Sequence, residues 1–225
     1  MTATLLIPLV GPLQAWGVDA RFDLRQGGSE PSKSGVLGLC CAALGRDRSE
    51  PIDDLAALVF GVRVDKEGRL SRDFHTAENV IGAGESKLRT VVSNRWYLAN
   101  AAFLAGLEGP ELLLDTIHAA LQRPHWALVL GRKSCPPTVP PGSGSVVHKP
   151  LHEALLSQGP LAEPPTQYRL LIEDPLGNQS RPDQPLGPFA ERRFGMRRVT
   201  TQTFACPPSN GDTPAPITIS SLQDT

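Results

Sequence analysis

Between Thr2 and Val10 the chain reads TATLLIPLV, a mostly apolar, β-rich run that predicts a buried strand. Gly11-Pro12 ends it, and a long loop containing QAWG and QGGSEP follows. SKSGVLGLCCAALG then predicts a helix, with Ser32 or Ser34 as N-cap and Gly45 as stop. IDDLAALVFGVRVD predicts a helical turn running into a strand that ends near Asp65. KEG is expected to be a hairpin turn into the next strand, RLSRDFHT. From Ala77 to Arg89 the pattern turns polar and glycine-containing, as in an extended loop or flexible hairpin. Residues 90–107 are too long and too β-branched at their start for a plain helix and predict a strand. Residues 109–124 predict a helix, with Pro110 near its first position and Leu113, Ile117, Ala120 and Leu121 on one face. HWALVLG is the expected next strand. The resulting order, β-α-β-β-α-β, is the ferredoxin-like pattern, and the expected class is α+β.

Beyond this lies the proline- and glycine-rich junction KSCPPTVPPGSGS, residues 133–145. A short helix (KPLHEALLSQ), a strand (QYRLLIED), a polar loop over 175–188 and a β-rich segment (FGMRRVTTQTFAC) are expected after it. The pattern divides the chain into a ferredoxin-like unit over 1–132 and a smaller β-rich part over 133–206. Residues 207–225 have turn-former composition and are expected to be disordered towards their end.

Composition narrows the class. With 225 residues, 40% hydrophobic and 20% charged, the chain has ordinary globular proportions. It has no run near the roughly 20 apolar residues of a membrane-spanning helix. The opening stretch lacks a basic region and holds two prolines, so it is read as a strand, not a signal peptide. Cys40, Cys41, Cys135 and Cys206 form no C-x-x-C pair, which argues against zinc and suits a reduced cytoplasm. No metal or other cofactor and no membrane association is expected.

A formal charge of −1 argues at first against a nucleic-acid partner, but its distribution does not. Residues 132–150 hold Arg132, Lys133 and Lys149 and no acid. Residues 189–205 hold Arg192, Arg193, Arg197 and Arg198 against Glu191 alone. Such segregation permits one basic face on a neutral protein.

Four stretches carry candidate chemistry. GGSEPSKS (27–34) approaches the phosphate-cradling G-x-x-x-x-G-K-[ST] loop, but Ser32 replaces the second glycine and Pro31 removes an amide. What survives is Lys33 and Ser34 at a helix N-terminus, where free N–H groups favour a phosphate oxygen. LGRKSCPP (130–137) sets Arg132, Lys133 and Ser134 before a rigid proline turn, and AERRFGMRR (190–198) flanks an aromatic with arginine pairs. His75 in SRDFHT lies near Arg72, Lys87, Arg89 and Arg95, with Tyr97 as a conceivable partner. Cations beside one imidazole suit gripping RNA, and they also suit metal-free RNA cleavage by His75 with Lys87 or Tyr97. On the residues alone, both readings stand.

Taken in order, GPLQAWG (11–17), PSKSGVLGL (31–39), RDFHTAENV (72–80), WYLANAAF (96–103) and LGRKSCPP (130–137) resemble the signature blocks of a known family. That family is the CasD-type subunits of the type I-E CRISPR surveillance complex Cascade, in the Cas-five branch of the repeat-associated RNA-binding proteins. The resemblance runs from residue 4 to about 205. It implies a ferredoxin-like, RRM-like N-terminal domain with a long β-hairpin thumb at about 74–96, and a smaller β-rich C-terminal part. It also implies a non-catalytic role: holding the 5′ handle of the CRISPR RNA at one end of the complex, against the backbone subunit CasC and the large subunit CasA. Cutting of the precursor RNA belongs in such complexes to a separate subunit, CasE. Carried onto this sequence, Arg72, His75, Lys87 and Arg89 become expected thumb contacts to RNA. Gln14, Trp16, Lys33, Ser34, Arg132, Lys133 and Ser134 become the expected handle cradle, and Arg192 and Arg193 join them on charge alone.

Overall fold

Strand β1 (Thr2–Val10) lies inside a seven-stranded sheet, and all but its first residue are buried. The computed structural model describes residues 2–17, 20–21, 24–25, 29–81, 88–163 and 167–205. In chain order the remaining elements are β2 (Leu13–Gln14), β3 (Ala20–Arg21), β4 (Leu24–Arg25), α1 (Lys33–Leu44), α2 (Asp53–Ala56), β5 (Val59–Lys66), β6 (Arg69–Ile81) and β7 (Leu88–Ala99). They continue with β8 (Ala102–Pro110), α3 (Glu111–Gln122), β9 (Val146–Val147), α4 (Leu151–Ser157), β10 (Gln167–Glu173), β11 (Gln179–Pro185) and β12 (Phe194–Ala205). The fold is mixed α and β, with mostly antiparallel sheets.

The large sheet runs β11-β12-β10-β5-β8-β1-β9, every neighbour antiparallel. Alternation along β1 sends Leu5, Ile7 and Leu9 towards α1 and α3, and Leu6 towards α4 on the other face. Ser32 caps α1, its Oγ accepting from Gly35 N at 3.2 Å, and Gly45 closes the helix in the left-handed region at φ 76°. Leu151 of helix α4 packs directly onto the sheet because Gly106 leaves room: a Cβ there would lie 2.5 Å from Leu151 Cδ1.

A second, smaller sheet is built on β7, which pairs with β2, β4 and β6. Strands β6 and β7 form a hairpin from Arg69↔Ala99 out to Ile81↔Leu88, with an irregularity at 78–79 where Asn79 takes φ 56°. The hairpin is therefore longer than the 74–96 expected for the thumb.

Several expected elements differ. KEG does not join paired strands: after Gly68, at φ 74°, β6 leaves the large sheet for β7, while β5 pairs with β8 and β10. The expected strand over 90–107 is two strands, broken where Asn100 takes φ 57°. HWALVLG is irregular, because its backbone serves other partners: His125 N and Trp126 N donate to Ala43 and Ala42 at the end of α1, and Leu130 O accepts from Ala15 N. The strand that instead takes the free edge of β1 is the two-residue β9. The polar loop expected over 175–188 contains β11, and the expected division at 132/133 falls in a loop between strands of one shared sheet. The expected disordered tail, 207–225, lies outside the described residues, as do Lys87 and Cys206.

Candidate nucleic-acid interface

The loop after β1 is held from within. Gln14 is fully buried; its Nε2 donates to Leu9 O and Ala101 O at 2.9 Å, and its Oε1 accepts from Trp16 Nε1 at 2.7 Å. Both of its amide donors are spent inside the protein, and its oxygen is taken by the Trp16 indole. Lys33 is equally enclosed. Its Nζ lies 3.0 Å from Glu173 Oε2, and its backbone N–H donates to Asp183 Oδ2 at 2.8 Å. Asp183 also accepts from Arg197, whose guanidinium lies 5.2 Å from the Phe60 ring centroid. Burial lowers the Lys33 pKa, opposed by the Glu173 carboxylate. Gln14, Trp16 and Lys33 thus tie the start of α1 and the segment before it to β1, the turn between β7 and β8, β10 and β11 rather than facing solvent. Ser34 is half-buried on a cleft of about 570 Å³, where Gly35, Gly131, Trp126 and Phe194 also face.

The hairpin presents two different faces, as strand alternation requires. One carries Leu70, Arg72, Phe74, Val92 and Trp96, with the Arg72 guanidinium 5.9 Å from the Trp96 ring centroid. Phe74 is 64% exposed there. The other carries Asp73, His75, Ser93, Arg95 and Tyr97. His75 Nε2 lies 3.5 Å from Asp73 Oδ2, both half-exposed, and Arg89 is exposed nearer the tip.

The second face continues into the loop after α3. Leu130 N donates to Cys135 O at 2.7 Å and Cys135 N to Arg132 O at 2.8 Å, a tight turn that holds Lys133 and Ser134 out in solvent. Gly131 makes the turn possible: it takes φ 90°, and a Cβ there would lie 2.0 Å from Ala15 O. The turn lays Arg132 over Tyr97, its guanidinium 4.9 Å from the ring centroid. Burial pushes the Tyr97 phenol up, but interactions with Ser134, Arg132 and Arg95 outweigh it and the net shift is downward. Asp73, His75, Arg95, Tyr97, Arg132 and Ser134 thereby form one continuous surface across two elements distant in sequence.

A family model described as CRISPR-associated protein (Cas_Cas5) matches residues 4–200. The chain belongs to the Cas5 family. Within the family it is of the CasD type. The CRISPR system Cascade subunit CasD of Escherichia coli (strain K12) is 33% identical over 180 residues, covering 72% of this chain and 79% of its own. Among solved structures, a "Crystal structure of Cas protein" is 44% identical with TM-score 0.76, covering 90% of this chain and 95% of that one. A chain of a "CRISPR RNA-guided surveillance complex" is 30% identical with TM-score 0.79, covering 92% of each.

In this Cas5 chain, Arg192 and Arg193 sit on a separate loop, between the Phe189 and Phe194 that line the cleft. Arg193 Nε is bonded to Glu191 Oε2 at 2.7 Å, and Arg192 takes φ 52°. Sequence reasoning counted Arg95 only among the cations near His75 and Tyr97 only as a conceivable proton partner; neither entered the expected interface. Their period-two spacing was the available signal, since it puts both on one strand face. Among the described residues no group of three His, Cys, Asp or Glu could hold a metal ion, and no helix is long and apolar enough to cross a membrane.

Proposed function

We propose that this Cas5 chain is a non-catalytic CRISPR RNA-binding subunit that holds the 5′ handle and caps one end of a Cascade antiviral complex in the cytoplasm, against CasC and CasA. The observation that carries this reading is the surface shared by the hairpin and the 130–135 loop, where Arg95, Arg132 and Ser134 stand beside Tyr97, with Lys133 exposed on the same loop and His75 further along the same hairpin face. Guanidinium forks and an ammonium suit a phosphate backbone, and the exposed Phe74 and the Arg72–Trp96 pair on the opposite hairpin face suit unstacked bases. Arg89 extends the same contacts towards the tip, Lys87 joins the expected RNA contacts on the family resemblance alone, Arg192 and Arg193 add charge across the cleft, and Gln14, Trp16, Lys33 and Ser34 shape the cradle from within. The E. coli relative is a Cascade subunit by name, which supports the assembly role.

We read residues 1–132 as a ferredoxin-like domain with the β6–β7 hairpin as its thumb, and 133–206 as a β-rich appendage. The order β5-β8-β1, flanked by α1 and α3, supports this; the fourth strand of the pattern, β9 (Val146–Val147), is contributed by the chain beyond residue 132. Against cleavage by His75 with Tyr97 stands their spacing: Tyr97 lies opposite Ser71, four residues along β6, or roughly 13 Å at strand rise. An acid and a base that far apart do not share one scissile phosphate.

The test is to incubate the purified chain with its own repeat RNA in EDTA and measure binding and integrity together. Salt-sensitive binding of intact RNA, weakened in Arg132→Glu and Lys133→Glu, is expected. Site-specific cuts ending in a 2′,3′-cyclic phosphate, lost in His75→Ala, would instead make the chain an endoribonuclease.

A further inference from the structure

The β6–β7 hairpin continues two strands of the large sheet, β5 running on into β6 and β7 into β8. Pairing passes from Lys66↔Ala102 in the sheet to Arg69↔Ala99 in the hairpin. Between those rungs both strands turn at once, Gly68 at φ 74° and Asn100 at φ 57°. The two crossings touch: a Cβ on Gly68 would lie 2.7 Å from Ala101 Cβ. Left-handed residues on both strands of one ribbon make a hinge, where small backbone rotations swing the hairpin as a unit.

The two sides of this hinge are held differently. On the β7–β8 side, Asn100 N donates to Pro12 O at 3.0 Å and buried Gln14 Nε2 donates to Ala101 O at 2.9 Å. On the β5–β6 side the hold comes from Arg169 of β10. Its Nε and Nη2 donate to Glu67 Oε1 and Oε2 at 2.8 and 2.7 Å, and its Nη1 donates to Glu30 Oε1 at 2.6 Å. Glu67 immediately precedes Gly68, and Glu30 lies just before the Ser32 cap of α1. Isolated exposed ion pairs stabilise little, but a bidentate fork shared among three charges is the exception. Without Arg169, Glu30 and Glu67 would be left repelling each other at the hinge.

We propose that Arg169 is a positioning residue: through Glu67 it sets the angle of the hairpin to the sheet, and so aligns the hairpin with the 130–135 loop. The inference rests on the RNA-holding function proposed above, and Arg169 itself meets no RNA in it. The lever is long, since β6 extends roughly 40 Å from the hinge at strand rise. A swing of about 10° leaves Tyr97, near the root, almost in place but displaces Phe74 by about 3 Å, enough to break a contact to RNA.

The experiment measures hairpin angle and RNA binding separately on the full chain. Spin labels on bio-orthogonal side chains at Ala77, on the hairpin, and at Leu112, exposed on α3, report the distance between hairpin and body by pulsed electron double resonance. Without RNA, the wild type is expected to give one narrow distance distribution. Arg169→Gln is expected to shift and broaden it, and to weaken binding of the 5′ repeat-derived RNA roughly three- to tenfold through lost preorganisation. Arg169→Lys should recover part of both, and Glu67→Gln should cause no further loss in the Arg169→Gln background. Should Arg169→Gln fail to fold, Glu67→Gln alone, on the exposed side of the pair, is expected to broaden the distribution. An unchanged distribution in the variants, or a shifted one with wild-type RNA affinity, overturns the positioning role and leaves the RNA-holding function standing. If the wild type binds no RNA, the RNA-holding function falls, and the distance distributions still decide the hinge.

Discussion

Tyr97 is the residue on which the interface turns, because one side chain there meets both the hairpin and the loop after α3. Burial raises its phenol pKa, and the opposing interactions with Ser134, Arg132 and Arg95 carry the net value below the ordinary 10.0. Between that lowered value and 10.0 the folded chain binds fewer protons than the unfolded one, so the Tyr97 contribution to stability rises with pH through that window. Ultraviolet titration should assign a phenol step below the ordinary value to Tyr97, absent in Tyr97→Phe and moved upward in Arg132→Gln. Gln14 acts differently, as an internal brace between Leu9, Ala101 and Trp16. Gln14→Leu strands two buried carbonyls and an indole N–H, and should cost about 2–4 kcal/mol, read as a lower denaturation midpoint with unchanged slope.

At the scale of elements, the β6–β7 hairpin divides its work between faces. Phe74 contacts no core cluster and is 64% exposed, so Phe74→Ala should leave the melting temperature within a degree or so while weakening RNA binding by about 1–3 kcal/mol, as loss of one stacked base would. A fall in melting temperature with intact RNA affinity would assign Phe74 to packing. The hairpin was only partly legible in the sequence. Its arms mix polar and apolar residues without a regular period, and neither face is buried along its length, so pattern alone could not fix their extent. By contrast β1, α1 and α3 were plain, since each has a buried run or stripe bounded by a capping residue, a glycine or a proline. HWALVLG was misread because its apolar residues fill a loop pinned to α1 and Ala15, and β9 was missed because two valines after a proline-rich junction carry no period at all. The surface was legible as basic blocks. That Gln14 and Lys33 would turn inward depended on partners as far as 87 and 150 positions away, which local pattern does not encode, and Trp16 follows Gln14 inward.

For the whole molecule, one seven-stranded sheet carries the helices and the C-terminal strands, and the hairpin and the 130–135 loop stand off it as a single working surface. A chain of net charge −1 can bind a polyanion only through such a local concentration of cations. The most direct measurement of this is a crosslinking map, with photoreactive uridines at successive positions in the 5′ repeat-derived RNA bound to the full chain. Crosslinks are expected along β6 and β7 around Phe74 and Trp96, and at Lys133–Ser134. Crosslinks confined to α3, α4 or the outer face of β10–β12, with none on the hairpin or this loop, would contradict the account.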